Sequence, residues 1–207
     1  MSQVAYLPVG KREQTKVQNR QAILDAAREV FGELGYEAAT VRDIIRRTGL
    51  AAGTFYNYYR SKEEVFAALA DDGARRFAPI LKGLRGKGTS FDEFVREAIF
   101  AYFEFMADEH VSWMARRPPG ESQPHIQGET PEMAAVFAEV KDAIEDAIAE
   151  GKGPPSDSEY MAAACIGIAR EVGEKMLMRR PIDVAAAAEF ASAMILSGVK
   201  GLPAGPR

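Results

Sequence analysis

The fold is decided by residues 40–62, which read TVRDIIRRTGLAAGTFYNYYRSK. Thr40 has a side-chain oxygen suited to capping a helix, and Gly49 tolerates the positive backbone angle that ends one. Between them, apolar residues recur at helical spacing and would form the inward face of that helix: Val41, Ile44 and Ile45. The stretch therefore predicts a short helix followed by a tight turn.

A second short helix is predicted after this turn, starting near Ala52. Phe55 and Tyr59 are four residues apart, so both are expected to anchor this helix in the core. The other side chains would lie on faces that a DNA groove can use: Thr54, Tyr56, Asn57 and Tyr58. The two helices together predict a helix-turn-helix.

The next helix is predicted to open with a capping box formed by Ser61 and Glu64. Lys62 would then lie in its first turn, beside exposed backbone amides. Such a helix end attracts phosphate.

The order of caps, glycines and aromatic residues over roughly residues 15–70 resembles the N-terminal domain of TetR-family transcriptional regulators. The resemblance is carried by Ile23 to Phe31, Gly35-Tyr36, Thr40-Val41-Arg42-Asp43-Ile44, Gly49-Leu50, Gly53-Thr54-Phe55-Tyr56 and Tyr59-Arg60-Ser61-Lys62-Glu63-Glu64. It implies an all-α fold, with a three-helix DNA-binding head and a larger helical body that binds a ligand and forms a dimer. It also implies a repressor that a small hydrophobic or amphipathic effector releases from its operator. The body itself shows no such match.

The resemblance divides the chain into a flexible basic leader at 1–14, a helix-turn-helix domain at 15–65 and a ligand-binding and dimerisation domain at 66–207. The net charge is −4, yet residues 1–65 carry ten Lys or Arg against eight Asp or Glu, and the remainder sixteen against twenty-two. Phosphate affinity follows local charge, so the acidic total does not exclude DNA binding. The leader is either an arm that contacts DNA or a solvated tail.

Composition favours a soluble cytoplasmic protein. The chain has 207 residues, 47% of them hydrophobic, which is enough for a sizeable core. Its single cysteine, Cys165, lies in an apolar helical pattern and is expected to be a core thiol in a reducing compartment. No apolar run is long enough to span a membrane, and no signal peptide is apparent. We expect no cofactor and no metal.

Apolar periodicity and capping residues predict further helices. Their expected bounds are 15–34, 61 to about 77, from 90 onward, 130–151, 156 to about 178, and 183–199. Pro79 and the glycines after it are expected to weaken or end the second of these, and Ser156 with Glu159 to cap the fifth. The aromatic helix from Ser90 should be central, and 116–130 should be a loop.

The last two helices are rich in alanine, which permits close helix packing. By resemblance they form a four-helix dimer interface. The alternative is that alanine reflects helix propensity and packing within one subunit. A dimer is also favoured because two related helix-turn-helices reach half-sites of a palindromic operator.

The resemblance, carried over position by position, brings the turn and second helix to the major groove: Ala51, Ala52, Gly53, Thr54, Tyr56, Asn57 and Tyr58. Asn57 suits adenine, Thr54 a thymine methyl group and Arg42 guanine. The expected phosphate contacts are Thr40, Tyr56, Tyr58 and Lys62. Since residues 51–53 have short side chains, DNA shape is expected to carry more of the specificity.

The effector site is expected among large residues of the central body helices. The apolar candidates are Phe94, Tyr102, Phe105, Met106, Trp113, Met114, Phe137 and Met176, and the polar ones are His110, Arg170 and Glu171. Each apolar candidate is also compatible with plain core packing, but the resemblance implies that some line a cavity. Arg116-Arg117 and Arg179-Arg180 are read either as anion-binding pairs or as solvated surface pairs.

Two other functions are alternatives to a ligand-responsive repressor. Residues 108–110, Asp-Glu-His, and His125 are weak evidence for a metalloenzyme, because adjacent helical residues point to different faces and no catalytic motif occurs. A ligand-independent architectural helix-turn-helix protein would lack a cavity in its body.

Overall fold

The structure is a computed structural model that describes residues 10–85, 90–114, 130–153 and 155–199, except the side chains of 110–114 and 199. These residues form helices and no strand, which confirms the all-α prediction. The helices are α1 Lys11–Leu34, α2 Val41–Thr48, α3 Ala52–Tyr56, α4 Lys62–Arg85, α5 Phe91–Met114, α6 Pro131–Ala149, α7 Ser158–Leu177 and α8 Val184–Val199. No helix in the described ranges is long and apolar enough to cross a membrane.

The first helix begins earlier than predicted. It starts at Lys11 rather than Thr15, so the end of the predicted leader is helical, and residues 1–9 lie outside the described part of the chain. It ends as predicted at Gly35, whose φ is 77° and whose N–H donates to the Phe31 carbonyl.

The helix-turn-helix is built by the local signals that the sequence contains. The Thr40 hydroxyl accepts the Asp43 N–H, and the Asp43 carboxylate accepts the Thr40 N–H, which completes a capping box. Gly49 ends α2 in the left-handed region with φ 68°. Phe55 and Tyr59 are 0% and 8% exposed, so their predicted role as core anchors is confirmed.

The core of the amino-terminal helices, here the head core, extends into α4. It comprises buried residues of α1 to α4 and the loops between them: Ile23, Leu24, Ala26, Ala27, Val30, Phe31, Ala39, Ile44, Phe55, Tyr59, Val65, Ala68 and Leu69. Its last members lie beyond residue 65, where the sequence placed the domain boundary. The start of α4 is therefore part of the head.

Helix α4 joins this head to the body. It runs for 24 residues and passes through Pro79, so the proline does not end it, and the helix stops at Arg85 instead. Proline has no N–H to donate to the carbonyl of Arg75, four residues earlier. Both Pro79 and Arg75 are exposed, so solvent is available to this carbonyl. At its end, Arg85 Nε donates to Asp146 of α6 at 2.9 Å.

The body is organised around α5, as predicted. This helix packs against α1, α4, α7 and α8, and Phe103 at its middle is fully buried. Gly173 of α7 permits close approach, because a Cβ there would lie 2.6 Å from Met106 Sδ. A second cluster of buried residues, here the body core, comes from α5, α6, α7 and α8. It comprises Phe91, Val95, Ile99, Phe103, Ile144, Met161, Ala162, Ala169, Met176, Leu177, Ala188, Ala191, Ile195 and Leu196.

The helix starts of the body follow the predicted caps with one exception. Ser90 and Glu93 form the predicted capping box, and Thr130 caps α6 with Pro131 at its first position. The predicted cap at Ser156 is wrong, because Asp157 caps α7 and accepts the N–H groups of residues 159 and 160. A carboxylate is the better cap here, since its charge also interacts favourably with the helix dipole. Of the predicted loop at 116–130, only residue 130 lies in the described ranges.

Candidate nucleic-acid interface and effector cavity

The predicted DNA-reading residues are exposed or half-buried in α2, α3 and the turn after α3. Arg42, Ala52, Gly53, Tyr56 and Asn57 are exposed, whereas Thr54 and Tyr58 are half-buried. Helix α3 is shorter than predicted, because it ends at Tyr56 and Asn57 is its C-cap. Asn57 and Tyr58 therefore follow the helix in a turn that the Phe55 carbonyl stabilises.

Lys62 is turned inward, not toward solvent. Its ammonium donates to three carbonyl oxygens of the loop between α1 and α2: Tyr36 at 2.8 Å, Glu37 at 3.1 Å and Ala39 at 3.3 Å. It also lies 4.4 Å from the centroid of the Tyr36 ring. The phosphate contact of Lys62 stays a prediction, and in this structure the three ammonium protons are donated within the protein.

Thr40 is similarly committed to the fold. Its backbone N–H donates to the Asp43 carboxylate at 3.1 Å, and its hydroxyl donates to the same carboxylate at 2.5 Å. These hydrogen bonds hold the pKa of Asp43 below its usual value. Both donors of Thr40 are thus engaged within the fold, and its phosphate contact stays a prediction.

The basic surface is smaller than the sequence count suggested. Of the five basic residues in 40–62, Arg47 also folds back and pairs with Glu29 and Glu33 of α1. Arg42, Arg46 and Arg60 are exposed, and Arg46 approaches Asp43 only to 3.6 Å. Within residues 40–62, the exposed positive charge therefore comes from these three arginines.

A cavity of about 620 Å³ lies in the body, walled by α4, α5, α6, α7 and one residue of α8. Six of the predicted effector residues line it: Phe94, Tyr102, Phe105, Met106, Phe137 and Arg170. Met176 does not, because it packs in the body core with 3% exposure, and Glu171 is exposed outside the cavity. The side chains of His110, Trp113 and Met114 lie outside the described part of the chain.

One wall of the cavity was missed in the sequence. It is formed by α4, through Phe66, Leu69, Gly73, Phe77 and Leu81. Their spacing of three and four residues was visible, but α4 was read only as the link between head and body. Two acidic wall residues, Glu109 and Glu174, were also missed as effector contacts.

Burial controls the chemistry of two groups in the cavity wall. It raises the pKa of the Tyr102 hydroxyl to about 12, an effect that the charge of Arg170 opposes and that of Glu174 adds to. It also raises the pKa of the Cys165 thiol to about 11, so this cysteine stays protonated at neutral pH. Neither group is suited to act as a nucleophile.

A line of ion pairs, here the Asp72 network, runs from the cavity wall to α1. Glu109 accepts two hydrogen bonds from Arg76, each of 2.7 Å. Arg76 Nε also donates to Asp72 at 3.2 Å, and Asp72 forms a salt bridge with Arg28 of α1. Asp72 is 7% exposed, so its charge depends on these partners. The network connects the effector cavity with a helix of the head.

The outer surface of α7 and α8 carries large apolar residues that solvent reaches. They are Tyr160 at 78% exposure, Met178 at 46%, Phe190 at 61% and Met194 at 54%, and together they define the α7–α8 face. Several alanines of the predicted interface are exposed beside them. A patch of this kind is typical of a protein interface.

The metal hypothesis gains no support. Within the described ranges, no group of three or more His, Cys, Asp or Glu side chains is placed to hold a metal ion. His125 lies outside those ranges.

Of the two arginine pairs that the sequence offered as anion sites, one is described. Its Arg180 donates to the carbonyls of Leu177 and Arg179, while Arg116 and Arg117 lie outside the described ranges.

The sequence of the head is similar to that of known regulatory proteins. The sequence profile described as "Bacterial regulatory proteins, tetR family" matches residues 23–69. The HTH-type transcriptional repressor AcnR of Corynebacterium efficiens is 45% identical over 62 residues, which are 30% of this chain and 33% of that one. The HTH-type transcriptional regulator YhgD of Bacillus subtilis is 26% identical over 155 residues, which are 70% and 78% of the two chains.

The whole fold also has solved counterparts. The crystal structure of the regulator FadR from Bacillus subtilis, in complex with stearoyl-CoA, has a TM-score of 0.67 at 21% identity and covers 86% of this chain and 98% of that chain. At this identity the likeness establishes the fold alone.

Lys62→Met should destabilise the head, because the substitution removes the ammonium and leaves three loop carbonyls without their donor. We expect the free energy of unfolding to fall by about 2 kcal/mol, as for the loss of hydrogen bonds to a charged group, measured by denaturant titration. Arg46→Met is the matched control, since the Arg46 side chain is 74% exposed and should change stability little. Equal stability of the two variants would contradict a structural role for Lys62.

Proposed function

We propose that this chain, a member of the TetR family of bacterial regulatory proteins, is a transcriptional repressor that a small apolar or amphipathic molecule releases from its operator. One observation carries the proposal: the effector cavity and the head share side chains. Leu69 belongs to the head core and also lines the cavity, and Phe66 packs against that core and lines the cavity as well. A ligand in the cavity therefore contacts residues on which the DNA-binding helices rest.

The named relatives support both halves of this proposal. AcnR is described as a repressor, and the similarity to it lies in the head. The FadR structure was determined with stearoyl-CoA, an amphipathic molecule, and has the same fold. The cavity disfavours the alternative of a ligand-independent architectural protein. The proposal gives the chain no catalytic step and places its action in the cytoplasm.

We assign DNA contacts to exposed and half-buried residues of α2, α3 and the turn after α3. In this assignment Asn57 reads an adenine, Thr54 a thymine methyl group and Arg42 a guanine. Tyr56 and Tyr58 contact phosphates, and the small residues Ala52 and Gly53 let the backbone approach the groove. With few long polar readers, much of the specificity comes from DNA shape.

The proposed repressor is a homodimer joined through the α7–α8 face. Two copies related by a dyad present two heads to successive major grooves, which fits a palindromic operator. A single head offers few base contacts and would bind weakly. Apolar side chains exposed on the monomer become buried in this arrangement.

Ligand binding acts on this dimer by shifting its population. A molecule in the cavity favours the arrangement of α4 and α5 that accommodates it, and the Asp72 network carries the change to α1. The heads are then spaced wrongly for the operator, and DNA is released. Only a ligand with different affinities for the two arrangements has this effect.

DNA binding should depend steeply on salt, because the exposed arginines replace counterions on the phosphate backbone.

Asn57→Ala should lose roughly 1–3 kcal/mol of discrimination at one base position, measured with a randomised operator library. Tyr56→Phe is the contrasting variant and should weaken all sequences alike. A salt slope near zero would refute groove binding, and an unchanged base preference would remove Asn57 from the reading set.

Phe190→Glu should convert the dimer into a monomer, because two carboxylates would be buried in the apolar interface. The measurement is sedimentation equilibrium of the whole chain. Ile80→Glu is the control, since Ile80 is 41% exposed but lies on α4, away from the α7–α8 face. A wild-type monomer, or loss of the dimer only in the control, would contradict the proposed interface.

Arg76→Lys should uncouple the cavity from the head, because a lysine keeps the charge but cannot hold Glu109 and Asp72 with the same fork of donors. The test uses a compound that stabilises the wild-type chain in a thermal-shift screen of small apolar molecules and that also lowers its DNA affinity. In the variant this compound should bind within twofold of wild type yet release less DNA.

Arg75→Lys is the control for this experiment. Arg75 approaches Asp72 only to 3.5 Å and does not line the cavity. Release that is equally complete in both variants would show that the Asp72 network does not transmit the signal.

A further inference from the structure

The charges in the cavity wall do not balance. Three charged residues of the described chain line the cavity: Glu109, Arg170 and Glu174. Glu109 is neutralised by Arg76 at 2.7 Å, and Arg170 Nη2 pairs with Glu171 at 3.1 Å. The Glu174 carboxylate makes no hydrogen bond or ion pair with any described residue, although Arg170 lies one helical turn before it. Among the described residues of the wall, the Glu174 carboxylate is therefore the one charge without an ion-pair partner.

A polar group without a partner lies beside this charge. Tyr102 lines the cavity, and its hydroxyl makes no hydrogen bond to a described residue. The electrostatic effects of Arg170 and Glu174 on this hydroxyl place all three groups in one region of the wall. Tyr102 is half-buried in the cavity wall, and a phenol both donates and accepts hydrogen bonds, so this hydroxyl is available to a ligand.

The rest of the wall is aromatic. Phenyl rings from α4, α5 and α6 surround the space: Phe66, Phe77, Phe91, Phe94, Phe105 and Phe137. One of these rings already accepts a cation, because the Arg76 guanidinium lies 5.4 Å from the centroid of Phe105. Aromatic faces attract ammonium groups, and most strongly where water is excluded.

We infer that the effector of this cavity is a lipophilic amine, with a protonated nitrogen held by Glu174 and Tyr102 and an apolar body among the phenyl rings. This assignment rests on the proposed function and specifies its ligand class. The ammonium N–H groups donate to the Glu174 carboxylate and the Tyr102 oxygen. An anionic head would instead be repelled by Glu174, and the two guanidinium groups of the described wall region, Arg76 and Arg170, already pair with Glu109 and Glu171.

Isothermal titration of the full chain with three probes of equal chain length tests this inference. The probes are decylamine, decanol and decanoate at pH 7, each below its critical micelle concentration. We expect one decylamine per chain, bound at least tenfold more tightly than decanoate, with decanol between them. Glu174→Gln should bring the affinities for decylamine and decanol within twofold of each other and leave that for decanol unchanged.

Two further variants make the test specific. Tyr102→Phe should weaken decylamine at least threefold, since only the hydroxyl is removed. Glu159→Gln, at an exposed carboxylate on the same helix but outside the cavity, should leave all three affinities unchanged.

The outcomes separate this inference from the proposed function. If decanol binds but decanoate binds as tightly as decylamine or more tightly, the amine assignment is overturned and the repressor proposal stands. The same holds if Glu174→Gln keeps the full preference for decylamine. If none of the three probes binds, both the amine assignment and the proposed effector cavity are overturned.

Discussion

The buried carboxylate of Asp72 sets the constraint on which the arrangement of head and body depends. A charge that is 7% exposed is tolerated only with partners, and here the partners come from both sides of the junction. Arg28 approaches from α1, and Arg76 from the next turn of α4. Because Arg76 also pairs with Glu109, the same side chain contacts both the junction and the cavity wall. The pairing thus joins the two regions, as the proposed signalling requires.

Local signals in the sequence predicted the helices well, because each signal acts within a few residues. The Thr40 capping box and the turn at Gly49 involve only neighbours along the chain, and the four-residue spacing of the core anchors Phe55 and Tyr59 is local as well. The error at the start of α7 has the same local scale, since Ser156 and Asp157 compete for the same amides. The resemblance to a known family supplied the order of these elements, and the structure confirms the all-α class.

Charge counts were less reliable, since the partners of a charged side chain are distant in sequence. Lys62 binds carbonyls of residues 36–39, and Arg47 binds carboxylates of α1. Neither partner is visible from the local pattern, so the basic surface was overestimated. The cavity has the same difficulty. Phe77 and Met176 are both apolar residues at helical spacing, yet Phe77 lines the cavity and Met176 packs in the body core. Only packing between helices distinguishes them.

The sharing of Leu69 and Phe66 between head and cavity has a consequence for how such proteins diversify. A substitution on the α4 wall that suits a new ligand also perturbs the helices that read DNA, so selection on either property restricts that wall. The α6 wall contains Met133, Val136 and Phe137, none of which belongs to the head core. Evolution of new ligand preferences should therefore accumulate on α6, while the α4 wall changes slowly and in step with the operator.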